Sequence, residues 1–155
     1  MKYIGIDFGA KKIGVAVSDE EGILAFPAYT APNNVDFLAD LKEYSKGILA
    51  ESVVLGASVN ALGEENPVMK EIRSFAVSIE RALDLPVYFE KEWLSSVEAR
   101  RFQNDRREAD DAAAAIILQR YLDRVSISRK KLAQKTKAED EENDGKAIEV
   151  EENED

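Results

Sequence analysis

Two hydrophobic periods divide the chain. Residues 2 to 7, Lys-Tyr-Ile-Gly-Ile-Asp, predict a short strand that ends at an aspartate. Gly9 and the polar pair Lys11-Lys12 supply a turn, and Ile13 to Val17 reads as a second strand. Asp19-Glu20-Glu21-Gly22 turns the chain again, and Ile23 to Thr30 reads as a third. Three strands joined by tight turns make an antiparallel meander. The period then lengthens: Phe37, Leu38, Leu41 and Tyr44 recur at three- and four-residue spacing, with Asn34 placed to cap and Gly47 just past the end. Ser52 to Leu55 is a β-branched run closed by Gly56. After a loop with Asn60 and Gly63, Pro67 opens a second helix whose face is Val68, Ile72, Phe75, Ile79 and Leu83. Pro86 to Phe89 is the next strand, and helices are expected over 96–103 and 110–122.

Strands that alternate with helices imply right-handed crossovers and parallel pairing. The expected architecture is therefore α/β, a five-stranded mixed sheet of three antiparallel strands followed by two parallel ones, flanked by helices. From about Ser128 apolar residues thin out, which predicts one folded domain over 1–127 and a charged, disordered tail over 128–155.

Composition narrows the chemistry. The chain has 155 residues, 45% of them hydrophobic and 34% charged, which is globular. No apolar run approaches the roughly 20 residues of a membrane span. The acidic N-terminal segment has no leader character, so a cytoplasmic location without membrane attachment is expected. Cysteine and histidine are both absent, which removes disulfides, thiolate or imidazole metal sites and histidine-dependent triads. Hydrolytic chemistry would have to rest on carboxylates, hydroxyls, lysines or a metal-bound water. The net charge of −10 is concentrated after Ala138, where ten acids meet only Lys146; residues 1 to 137 are close to neutral. Immediately before that block, Arg120, Arg124, Arg129, Lys130, Lys131, Lys135 and Lys137 face only Asp123.

Three acids stand where a fold can hold them. Asp7 ends the first strand, and the alternative to a chemical role is a turn cap. Glu92 lies at or just past a strand end, where a solvated edge would also suit it. Asp110 and Asp111 open an Ala-rich helix; acids there are favoured as caps and by the helix dipole. Four alanines followed by Ile116, Ile117 and Leu118 imply close packing on the sheet, which brings that acidic turn inward. Carboxylates from two strand ends and a helix start form an oxygen-only set suited to Mg²⁺ or Mn²⁺ and to phosphodiester hydrolysis.

The segment Tyr-Ile-Gly-Ile-Asp-Phe-Gly-Ala-Lys-Lys-Ile-Gly-Val-Ala-Val-Ser-Asp (3 to 19) closely resembles the opening of the YqgF/RuvX family of ribonuclease H-like proteins. Gly22 to Pro27, Leu94 to Ala99 and Asp110 to Leu122 are similar to later segments of it, so the resemblance spans roughly 2 to 124. It implies a ribonuclease H-like fold and a metal-dependent nuclease that processes the 5′ end of pre-16S ribosomal RNA, as a monomer or homodimer. A Holliday-junction resolvase is a weaker assignment by fold analogy. The family's acids fall on Asp7, Glu92 and Asp110, as catalytic residues and ligands of Mg²⁺ or Mn²⁺; Asp111 aligns with a variable position. Lys11, Lys12, Asn60 and Lys91 are candidate nucleic-acid contacts. The family's Asp-Glu-Arg is here Lys91-Glu92-Trp93, and its Gly-Leu-Pro loop is Gly56-Ala57-Ser58. Lys91 either weakens metal binding or contacts a phosphate, and Trp93 either stacks on a base or is buried. These departures keep open a non-catalytic RNA-binding or ribosome-assembly module. A two-domain ATPase such as a sugar kinase needs more chain than this.

Overall fold

The computed structural model describes residues 1–60, 62–65, 67–93 and 109–151, apart from the side chains of Trp93 and 143–151. The elements in order are β1 (Tyr3–Phe8), β2 (Lys12–Ser18), β3 (Ala25–Pro32), α1 (Phe37–Gly47), β4 (Ser52–Val59), α2 (Met69–Leu83), β5 (Val87–Trp93) and α3 (Asp111–Glu151). The sheet order is β3-β2-β1-β4-β5. β1 and β3 run antiparallel to β2, whereas β4 runs parallel to β1 and to β5. The helix expected over 96–103 lies outside the described residues.

Every residue of β1 and β4 is buried, as central strands covered on both faces are. Because successive side chains point to opposite faces, the strands sort their residues into two layers. Ile4, Ile6, Ile13, Val15, Val53 and Leu55 form one face and pack under α1 and α2. Leu41 of α1 and Ile72, Ala76 and Ile79 of α2 fill that layer at helical spacing. The other face carries Tyr3, Gly5 and Asp7 and receives the start of α3. There Tyr121 packs edge-on to Tyr3 and stacks with Tyr88, ring centres 5.7 and 5.8 Å apart.

Several boundaries differ from the periodic reading. β4 and β5 continue to Val59 and Trp93, joined through Val59 opposite Trp93. Gly56, Ser58 and Glu90 to Glu92 are poor strand formers, and the parallel ladder extends them where local propensity does not. β3 begins at Ala25, since the turn before it absorbs Ile23: the Asp19 carboxylate accepts the Ile23 N–H at 2.8 Å, a bond that holds the Asp19 pKa below its ordinary value. Asn34 accepts the Asp36 N–H at 3.1 Å rather than capping α1 directly, and Gly47 is the last residue of that helix, with the left-handed backbone at Leu49 (φ 56°).

The chain divides into two units, Met1–Leu122 and Asp123–Asp155. From Ser128, where composition leads to the expectation of a charged tail, α3 is drawn as helix to Glu151. Residue type suits this: Arg, Lys, Gln, Ala and Glu are good helix formers, and proline is absent from this stretch. An ion pair of Lys135 with Glu139, one turn on, adds to this at 3.7 Å. The low hydrophobicity shows instead in exposure, since nearly every described side chain after Leu122 is exposed. Among the described residues no helix is long and apolar enough to cross a membrane.

Tyr29 of β3 meets Tyr44 of α1 edge to face, ring centres 5.1 Å apart. Burial foremost, then Tyr44 and Asp40, push the Tyr29 phenol up to about 12. A phenol raised above its ordinary value of 10 contributes stability that is complete below that pH and is lost as pH rises toward the folded value. Urea denaturation is expected to show the unfolding free energy falling between about pH 10 and 12, and falling less in Tyr29→Phe.

Candidate active site

The site is built where α3 meets β1 and β2. Gly14 of β2 lies opposite Asp7 of β1, and a Cβ on Gly14 would stand 1.9 Å from the Asp110 carbonyl oxygen. A Cβ on Gly5 would meet the Leu118 Cβ at 2.7 Å, and one on Gly56 the Ile117 Cδ1 at 2.8 Å. Three glycines on three adjacent strands thus leave the space that α3 occupies. Gln119 holds the same helix to the β2–β3 hairpin: its amide donates to the Ile23 carbonyl at 2.9 Å and accepts the Ala25 N–H at 2.8 Å.

This approach joins two of the three expected acids. Asp7 is only 2% exposed, and its Oδ2 accepts the Asp110 N–H at 3.4 Å. Asp110 is exposed, and its Oδ1 accepts the Ala113 N–H at 2.7 Å, an N-cap bond. The capping role and the proximity to Asp7 coexist. Asp111 donates its N–H to Thr30 Oγ1 at 3.1 Å, so the hairpin also anchors the helix start; Thr30 has no signature in the sequence that marks it for this.

Glu92 lies on β5 opposite Ser58, on the same face of the sheet as Asp7. Its Oε2 leans back to within 3.3 Å of where a Gly56 Cβ would be. Since Ile6 pairs with Leu55 and Gly56 with Glu90, Gly56 occupies the row between β1 and β5 at the level of Asp7. Glu90 is itself buried and shares that face. Its pairing with Gly56 places it on that inner face. Among the described residues no three acids are gathered closely enough to form a metal-binding group. Asp7 and Asp110 adjoin, and Glu92 approaches from the far side of Gly56.

The candidate nucleic-acid contacts are placed differently. Lys91 is exposed and pairs with Ala57 of the opposite layer, so the pleat turns it away from Glu92. Lys11 and Lys12 are exposed at the β1–β2 turn, beside the site in the chain. The Asn60 side chain organises its own loop: Oδ1 accepts the N–H groups of Leu62 and Glu64 at 3.0 and 2.9 Å, and Nδ2 donates to the Glu64 carboxylate at 2.9 Å. Gly63 there has φ 79°, a left-handed backbone that suits glycine. The Trp93 side chain lies outside the described residues.

In chemistry, oxygen only and anionic, this donor set suits a hard divalent cation; in position, Asp7 and Asp110 adjoin while Glu92 stands apart from them. Residues 1–124 match the model of a family described as "RuvX: Holliday junction resolvase". The chain belongs to the RuvX family. Its fold is a five-stranded mixed sheet, three strands antiparallel and then two parallel, as expected, and the family is one of nucleases. A protein of Maridesulfovibrio salexigens named "Putative pre-16S rRNA nuclease" is 34% identical over 138 residues, covering 81% of this chain and 100% of that one. Another of the same name, from Nitratidesulfovibrio vulgaris, is 36% identical over 135 residues, covering 79% and 93%. Among solved structures, Thermus thermophilus RuvC aligns with a TM-score of 0.46 and 15% identity, over 79% of this chain and 94% of that one.

Three substitutions test the geometry. Asp110→Asn keeps a side-chain oxygen for the Ala113 N–H and is expected to leave stability within about 0.5 kcal/mol, whereas Asp110→Ala removes the cap and costs about 1 kcal/mol; chemical denaturation measures both. Gly56→Ala drives a methyl against Ile117 and is expected to cost about 1 to 3 kcal/mol through overpacking, read as a lowered thermal midpoint.

Proposed function

We propose that this chain is a cytoplasmic, metal-dependent phosphodiesterase acting on RNA, and that it processes the 5′ end of pre-16S ribosomal RNA. The observation that carries the reading is the union of Asp7 with the first turn of α3, with Glu92 folded toward them over Gly56. Asp7, Glu92 and Asp110 would hold Mg²⁺ or Mn²⁺, which when bound supplies an activated water and charge neutralisation at the phosphate. The chain's own part is positional. Burial and the Asp110 N–H hold the Asp7 carboxylate in place under α3. The Ala113 N–H fixes one oxygen of Asp110 and leaves the other for the substrate side. Water attacks phosphorus as the bridging P–O bond breaks, and the proton it loses passes to a carboxylate or solvent, histidine being absent from the chain. Lys11 and Lys12, at the turn after Asp7, suit contacts to flanking phosphates.

The relatives' printed names support the RNA substrate, and the family description supports a DNA junction as the competing one. A non-catalytic RNA-binding or assembly module is favoured by one observation, that among the described residues the three acids are not gathered into a metal-binding group.

The test is cleavage of a labelled pre-16S 5′-leader RNA, beside a four-way DNA junction, with Mg²⁺ or Mn²⁺ present and then chelated. Cutting of the leader is expected to require the metal and to fall at least about 100-fold in Asp7→Asn, with the fold intact by circular dichroism. Cutting of the junction alone would favour the resolvase, and RNA binding without cutting would favour the assembly module.

A further inference from the structure

The extension of α3 carries its charge in two blocks. From Arg124 to Lys137 there are six bases, Arg124, Arg129, Lys130, Lys131, Lys135 and Lys137, and no acid. All six are exposed. At 3.6 residues per turn, Arg124, Lys131 and Lys135 fall along one side while Arg129, Lys130 and Lys137 lie around the rest of the circumference. The block is a cationic rod about 20 Å long, comparable with the spacing of several successive phosphates on one strand. Acids begin only at Glu139. Side chains on a helix reach neighbours three or four positions away, so the acidic block meets the basic one at the junction, where Lys135 pairs with Glu139, and does not reach Lys130 or Lys131.

We propose that residues 124–137 of α3 are a nucleic-acid backbone-binding surface, which grips phosphates of the substrate strand without reading its sequence. The inference deepens the nuclease reading and rests on it for its substrate. The acidic block of a second copy, laid antiparallel, would be the competing occupant. A helix pair needs an apolar seam, and here Val125 and Leu132 are separated by Ser128 and Arg129. Charge spread around the whole circumference likewise suits a flexible polyanion better than one partner helix.

The experiment uses the full chain and a fluorescent 5′-leader RNA, with binding followed by anisotropy over a salt series. In the combined Lys130→Gln, Lys131→Gln, Lys135→Gln and Lys137→Gln variant, affinity at low salt is expected to fall at least about 10-fold. The slope of log affinity against log salt is expected to lessen by about 0.7 for each phosphate that the variant no longer neutralises, or roughly 2 to 3 in all. The matching Lys→Arg variant keeps the charge and is expected to bind as the wild type does, which separates loss of charge from loss of structure. Unchanged affinity and slope in the Gln variant would overturn the inference while leaving cleavage, and so the nuclease reading, intact. A wild type that binds with the steep slope but never cuts would sink the nuclease reading and support this one. Failure of the wild type to bind RNA at low salt overturns it outright. So does a wild-type dimer in sedimentation that the Gln variant loses while RNA affinity stays the same, which assigns the rod to a second copy.

Discussion

The first turns of α3 lie so close to β1, β2 and β4 that a Cβ at Gly5, Gly14 or Gly56 would stand within 3 Å of an atom of the helix. At Gly14 the obstacle is backbone, the Asp110 carbonyl, which cannot swing aside as a side-chain tip can. Everything distinctive about the site follows from this close approach. It brings the Asp110 N–H to the Asp7 carboxylate, buries Asp7 although it is an acid, and leaves the space over Gly56 into which Glu92 leans. Alanines at the start of the helix serve the same end, since Ala114 is fully buried and adds no bulk between helix and sheet.

The two faces of the sheet divide the labour. The layer under α1 and α2 is almost wholly aliphatic and aromatic, and burial at about 25 cal/mol per Å² makes it the main source of stability. The layer under α3 holds Asp7, Ser18, Ser52, Ser58 and Glu90, nearly all the buried polar residues described. Their burial is tolerated because partners are supplied locally: the Ser18 hydroxyl, for example, accepts the Tyr3 N–H at 2.8 Å and donates to the Asp19 carbonyl. Polar groups held this way in a rigid frame are the ordinary requirement for a site whose geometry must not drift. A large apolar layer on one side of the same strands is what lets the other side be polar.

Beyond Leu122 the physics changes. Nearly all the described side chains of the helix there are exposed, so its stability rests on propensity and on pairs such as Lys135 with Glu139, each worth a few tenths of a kcal/mol. Such a segment responds to salt and to polyanions more readily than a packed helix does. The overall acidity of the chain belongs to its last residues, and it conceals a folded part close to neutral and a basic block between them.

Periodicity and residue type alone determined the order of strands and helices, the mixed sheet, the absence of thiol and imidazole chemistry, and Asp7 as an acid at the end of a buried strand. These are legible because each depends on neighbours in the chain: a turn at Gly9, a β-branched run, an apolar stripe every three or four residues. Tertiary structure alone decided the rest. Glu90 faces inward and Lys91 outward because β5 is extended by its ladder with β4 past the point where propensity would end it. Asp110 is both a cap and a neighbour of Asp7. Whether two acids a hundred residues apart meet depends on the helix–sheet distance, and that distance is set by glycines on three strands that only the folded sheet brings side by side.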